Sequence, residues 1–304
     1  MATGAAAPRK LRVMALHGFT SNAFTLQRRM GALRKACRDV CDFVFLNGPM
    51  RVEPIFSSQP LDTPEASADR DKEEDVPLEE QPRAWWRAND DDGTYEGFDD
   101  SLRFLGGEIR DKGPFDGVFG FSQGAGLAAL LASAFEDPSR LSPHRRELLF
   151  PPGSKQGPLR FCIAVSGFRA RDPALDAMYP AGDGRPQGLR GIQTPVLHVL
   201  GKADQIVDAD RSQTLVDACA HSRIETHESG HVVPTQAPWR NFLRDYIHAF
   251  ADETHEAGAW RHVQGPNERP RGQVLANGES PLPSGTNTPR EQEEQDAIKR
   301  KPSL

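Results

Sequence analysis

Gly120-Phe121-Ser122-Gln123-Gly124 is the stretch of this chain best suited to chemistry. It sets a serine between two glycines, after the apolar run Gly117-Val118-Phe119 and before the small-residue run Ala125 to Leu131. Strand, sharp turn and helix in that order make a nucleophile elbow. The turn strains the serine backbone and lifts its hydroxyl off the sheet edge, and glycines flank it because β-carbons there would clash. The bland alternative is a glycine turn whose serine caps a helix. A Gly-x-Ser-x-Gly match arises by chance on the order of 0.1 times in a chain of this length, so partners must decide.

A serine hydroxyl is a weak nucleophile until a base takes its proton and an acid orients that base. The elbow resembles that of an α/β-hydrolase, in which these partners follow in the order Ser, acid, His, each on the loop after a later strand. Asp204 stands in Gly201-Lys202-Ala203-Asp204, directly after the apolar run Val196 to Leu200, and is the acid expected here. Asp208 and Asp210 are its rivals, but they fall nearer the next helix, where an acidic residue caps or complements the dipole. His231, in Ser229-Gly230-His231-Val232-Val233-Pro234 after Ile224 to Glu228, is the expected base. His227 is the alternative, although inside a strand it would point into sheet packing, and His198 reads as a core histidine.

The tetrahedral oxyanion of acyl transfer needs backbone donors. The residue after the nucleophile, Gln123, supplies one, and Leu16-His17-Gly18-Phe19-Thr20 supplies the second loop, with Phe19 as candidate donor and Thr20 as runner-up. His17 is expected to brace that loop rather than act as a base. For the substrate, Trp85 and Trp86 cannot share one face of a strand, so one should pack in the core while the other is free to line an acyl pocket. Phe168 and Val207, with Phe19, would complete an apolar wall.

The elements that must carry these residues alternate strand and helix, the pattern of an α/β protein with a mostly parallel central sheet and helices on both faces. The expected strands are Leu11 to Leu16, Phe43 to Leu46, Gly117 to Phe121, Phe161 to Ser166, Val196 to Leu200 and Ile224 to Glu228. Helices are expected over Phe24 to Cys37, with Asn22 or Ser21 as cap, over Phe98 to Asp111, and from the elbow to Phe135. Two more are expected over Asp210 to Ala220 and Thr235 to Ala251, the last carrying Trp239, Phe242, Tyr246 and Phe250 on one face. An N-terminal arm (1–8) precedes a domain over 9–254 that is interrupted by an acidic surface insertion at 59–81. A polar, aperiodic stretch from 255 to 304 reads as a disordered tail.

Five motifs together, Leu16-His17-Gly18-Phe19, Gly120 to Ala125, Ser166-Gly167-Phe168, Gly201-Lys202-Ala203-Asp204 and Gly230 to Pro234, resemble the family of serine hydrolases (FSH), a branch of the α/β-hydrolase superfamily. Trp85-Trp86 and the segment from Gly93 to Leu102 match its aromatic block. The resemblance covers about Arg9 to Phe250. It implies an α/β-hydrolase fold and a cofactor-free carboxylesterase or thioesterase with Ser122, Asp204 and His231 as triad. It also implies a small-molecule ester or acyl thioester as substrate, or an acyl or polyketide chain on an acyl carrier protein. A non-catalytic ligand-binding protein on the same fold is the alternative from another class, and an intact Ser, Asp and His set argues against it.

Composition narrows the remaining classes. A net charge of −6 over 304 residues, with basic residues scattered, argues against a nucleic-acid surface. No apolar stretch approaches the roughly 20 residues of a membrane span, no signal-peptide core opens the chain, and the terminal Lys301-Pro302-Ser303-Leu304 lacks the central lysine of Ser-Lys-Leu. A cytoplasmic protein is expected. Cys37 and Cys41 form a Cys-x3-Cys pair without a second pair to complete a metal site, so no metal is expected.

Overall fold

The computed structural model describes residues 9–53, 77, 80–180, 191–251 and 258–268. The N-terminal arm, nearly all of the acidic 59–81 stretch and the chain beyond 268 lie outside the described residues. A six-stranded sheet organises the rest. Its strands are β1 (Leu11–Leu16), β2 (Cys41–Leu46), β7 (Gly117–Phe121), β8 (Phe161–Val165), β9 (Val196–Gly201) and β10 (Ser222–His227), with four two-residue strands between β2 and β7. These are β3 (Met50–Arg51) paired antiparallel with β4 (Arg83–Ala84), and β5 (Arg87–Ala88) paired antiparallel with β6 (Tyr95–Glu96).

The large sheet runs β10-β9-β8-β7-β1-β2, and its pairings are all parallel. The chain steps outward from β1 to β2 and then returns to the other side of β1 to build β7 onward. That reversal puts a topological switch point between β1 and β7, where open α/β sheets bind ligands beyond the strand carboxyl ends. Ser122 follows β7 and Phe19 follows β1, so the elbow and the loop expected to supply the second oxyanion donor flank that crevice.

Helices cover both faces, as continuous apolar strands require. The two faces divide by alternation: Met14, Leu16, Val118, Cys162 and Ala164 pack on one side, and Val13, Ala15, Phe119, Ile163 and Val165 on the other. On the first lie α3 (Phe98–Lys112), α4 (Gln123–Glu136) and α5 (Pro143–Leu149). On the second lie α1 (Ala23–Arg29), α2 (Gly31–Cys37) and α7 (Ala237–His248), while α6 (Ala209–Asp217) follows β9. Gln123 to Phe135 of α4 are all buried, so this helix reads apolar all round.

Three differences from the sequence expectations have local causes. The first helix is two: Asn22 caps it by accepting from Thr25 N at 2.7 Å, but Met30 leaves helical dihedrals (φ −84°, ψ 5°) just before Gly31, a weak helix former. The short helix α5 was not anticipated, because only Leu149 of its seven residues is buried and its periodicity is faint. Past 254, the 3₁₀ turn Ala259–His262 packs on α7: Trp260 is buried, with its ring 6.2 Å from Tyr246 and 6.4 Å from Phe250. Arg223 of β10 ties the same segment down through the carbonyls of Trp260 and Val263, both at 2.7 Å.

Candidate active site

Ser122 has φ 55° and ψ −118°, a conformation that L-residues avoid. Its neighbours explain why only glycine flanks it. A Cβ on Gly120 would stand 2.2 Å from the Gly124 carbonyl oxygen, and one on Gly124 would stand 2.3 Å from the Leu16 carbonyl oxygen. Thr20 and Ser166 are the other non-glycine residues with positive φ among those described. All three sit at or just past the carboxyl ends of the adjacent strands β1, β7 and β8, so strain is concentrated on one rim of the sheet.

Asp204 and His231 meet on that rim. His231 Nδ1 lies 2.8 Å from Asp204 Oδ2, and Asp204 Oδ1 accepts from the amides of Ile206 (3.0 Å) and Val207 (2.9 Å). Burial raises the Asp204 pKa, but the Val207 amide, His231, Ser166 and the Ile206 amide more than offset it, leaving the carboxyl below its ordinary value. The Ser166 hydroxyl adds to this from a buried position outside ordinary hydrogen-bond geometry. An ionised Asp204 fixes the tautomer, with Nδ1–H donating and Nε2 left as acceptor. The two loops are locked by Lys202 N donating to the His227 carbonyl (2.8 Å) and by Gly201, where a Cβ would sit 2.5 Å from the Gly230 carbonyl oxygen.

The His231 ring packs on Phe121, with centroids 4.8 Å apart, which brings it beside the elbow. Ser122 and His231 do not hydrogen-bond to each other among the described residues, and such contacts commonly tighten only when substrate is bound. The rival residues are occupied elsewhere. Asp208 caps α6 through the Arg211 amide at 2.8 Å. His227 is buried edge-on to Trp239, with centroids 5.7 Å apart, and His198 reaches Ser222 Oγ at 3.2 Å.

Neither the Phe19 nor the Gln123 amide has an acceptor among the described residues, and the loops that carry them come close together: a Cβ on Gly18 would lie 3.2 Å from Ser122 Cβ. His17 braces this loop, as expected. Its Nδ1 donates to the Gly18 carbonyl (2.7 Å), and its Nε2 accepts from the Gly48 amide (2.9 Å). Burial, the largest influence, lowers its pKa to about 4, so it stands neutral.

Trp85 requires a correction. It is 0% exposed, stacks on His17 at 5.1 Å and donates from Nε1 to the His17 carbonyl at 2.9 Å, so it supports the loop rather than lining a pocket. Trp86, 2% exposed, stacks on Tyr95 at 4.8 Å. The Gln123 side chain pins both tryptophans, accepting from Trp85 N (2.9 Å) and donating to the Trp86 carbonyl (2.8 Å), a clamp that no sequence pattern announced. Ser101 Oγ adds a hydrogen bond to the Trp85 carbonyl. Val207 and Phe168 are buried, and Phe19 is exposed.

A doubly wound parallel sheet with a serine elbow at its switch point, and with an aspartate and a histidine paired on later strand ends, defines an α/β-hydrolase. The chain belongs to the serine hydrolase (FSH1) family, whose model matches residues 6–243. It is 32% identical to the human protein called Esterase OVCA2 over 259 residues, 81% of this chain and 100% of that one. A Schizosaccharomyces pombe protein called Dihydrofolate reductase is 30% identical over 244 residues, and this chain covers 47% of its length. Among solved structures, Zea mays acyl-protein thioesterase 2 shares the fold at a TM-score of 0.50 and 18% identity, over 81% of this chain and 95% of that one. No helix among the described residues is long and apolar enough to cross a membrane.

Proposed function

We propose that this serine hydrolase cleaves carboxylic esters or thioesters through an acyl-enzyme. The observation that carries the reading is the 2.8 Å His231 Nδ1 to Asp204 Oδ2 hydrogen bond, set beside a strained Ser122. Ser122 Oγ attacks the acyl carbonyl carbon while His231 Nε2 takes its proton. The carbonyl oxygen becomes an oxyanion facing the amides of Gln123 and Phe19. Collapse breaks the bond to the leaving oxygen or sulfur, which departs with the proton from Nε2, and Asp204 stabilises the transient imidazolium. Water then attacks the acyl-enzyme along the same path, giving the acid and free Ser122.

The apolar side chains expected beside Ser122, Phe19, Phe168 and Val207, favour an acyl group with apolar character, and the human relative called Esterase OVCA2 supports an ester as the substrate class. Trp86, 2% exposed and stacked on Tyr95, packs in the core instead. Hydrolysis of p-nitrophenyl butyrate with an initial burst of nitrophenol is the expected behaviour, and Ser122→Ala and His231→Gln should each abolish it. Unchanged turnover in Ser122→Ala would refute the reading.

A further inference from the structure

Beside Phe168, expected as part of the acyl wall, stands a cation. The Phe168 ring lies along α4, where a Cβ on Gly126, four residues after Ser122, would stand 3.8 Å from Phe168 Cε2 and 3.9 Å from Trp86 Cη2. The Arg211 guanidinium, from the first turn of α6, sits 4.0 Å over the centre of the Phe168 ring and donates to the Ile206 carbonyl at 3.3 Å. Arg171, three residues beyond Phe168, donates its amide to the Tyr95 hydroxyl at 2.8 Å, and Tyr95 is the ring stacked on Trp86. Arg171 is thus anchored by its backbone at the Tyr95–Trp86 stack that borders Phe168. Arg211 is shifted below its ordinary pKa first by burial and next by the charge of Arg171, and both charges act on the Tyr95 hydroxyl.

The nearby carboxylates are engaged elsewhere. Asp204 holds His231 and two amides, Asp208 caps α6, and Asp172 accepts from Tyr95 N (3.1 Å) and Ala174 N (2.9 Å). Among the described residues neither Arg171 nor Arg211 forms an ion pair, whereas neighbouring Arg169 reaches Asp176 at 3.1 Å. The Arg211 guanidinium, half-buried on an aromatic face without a salt-bridge partner among the described residues, would gain from an anion. The guanidinium fork matches a carboxylate or a phosphate equally well.

We infer that Arg171 and Arg211 form an anion subsite beside Phe168 that receives a carboxylate or phosphate carried by the substrate. This rests on the hydrolase reading above and deepens it: the substrate is an ester or thioester with an apolar acyl part and one anionic group.

The test compares wild type, Arg211→Gln, Arg211→Lys and the Arg171→Gln/Arg211→Gln double variant on two p-nitrophenyl esters of equal acyl length, the neutral butyrate and the anionic hemisuccinate. The ratio of kcat/KM for hemisuccinate over butyrate should fall at least about tenfold in the double variant, through KM, with Arg211→Lys intermediate. Succinate and inorganic phosphate, added as competitors of butyrate hydrolysis, separate the two sources by which inhibits at the lower concentration.

Binding is also read without turnover. Either anion should raise the Tm of the Ser122→Ala protein, and the shift should vanish when both arginines are replaced in that background. An equal ester ratio in wild type and double variant, together with no arginine-dependent Tm shift, would overturn the subsite. If neither ester is turned over, the hydrolase reading fails, and the Tm shift alone then decides the subsite.

Discussion

The proposed role of Asp204 rests on what its two oxygens do. One holds His231, and the other is fixed by the Ile206 and Val207 amides, while the rival Asp208 spends its carboxylate on a helix cap. Asp204→Asn should therefore lower kcat on a short ester by about 10³- to 10⁴-fold, because the amide favours the wrong imidazole tautomer. Asp208→Asn should change kcat less than about threefold, since asparagine caps a helix nearly as well. Steady-state kinetics on the two variants decides it, and a larger loss in Asp208→Asn would transfer the role. The order of Ser122, Asp204 and His231 was legible in the sequence because Ser122 and Asp204 follow short apolar runs and His231 a short β-branched one. The Gln123 clamp on Trp85 and Trp86 was not, because it joins segments 37 and 38 residues apart with no periodic signature. Gln123→Ala would leave the Trp85 N–H and Trp86 C=O buried and unpaired. It should cost about 2 kcal/mol in urea denaturation.

At the scale of elements, the elbow depends on β7 meeting α4 with no β-carbon between them. Gly120→Ala would push a methyl to within 2.2 Å of the Gly124 carbonyl oxygen, so the turn must open. A loss of about 3 kcal/mol in stability and of nearly all activity is expected, read by urea denaturation and ester hydrolysis together. The central strands β1, β7, β8 and β9 were readable because strands buried on both faces are nearly continuous apolar runs, while the edge strand β10, Ser222-Arg223-Ile224-Glu225-Thr226-His227, showed only through its β-branched residues. The two-residue strands β3 to β6 were not, because pairing that short is set by the tertiary contacts around Trp85 and Tyr95 rather than by local pattern. The break at Met30 is a similar case: the apolar spacing runs on through it, and only the dihedrals show that one helix is two.

For the whole molecule, the buried histidines bear on the acid side of stability; burial lowers the His227 pKa as well. His17 and His198 both have pKa values lowered to about 4 by burial. Unfolded histidine takes up its proton near pH 6.5, so the unfolded chain binds protons first and stability falls as the pH drops from about 6.5 toward 4. At about 1.4 kcal/mol per pH unit, each contributes on the order of 3 kcal/mol when that window has been crossed. Urea midpoints measured from pH 7 to pH 5 should fall, and His198→Leu should flatten the slope. A slope unchanged in that variant would remove His198 from the account. The chain past 254 also belongs to this scale. Trp260 lies among Tyr246 and Phe250, an aromatic signal that the polar composition around it concealed, and Trp260→Ala should cost about 3 kcal/mol.

The central claim is that Ser122 is the nucleophile. Treating the protein with a fluorophosphonate, digesting it and locating the adduct by mass spectrometry tests that claim most directly. One adduct is predicted, on the peptide carrying Ser122, blocking ester hydrolysis in proportion to labelling and absent from Ser122→Ala. Undiminished labelling of Ser122→Ala, or an adduct on another residue that tracks the loss of activity, would contradict it.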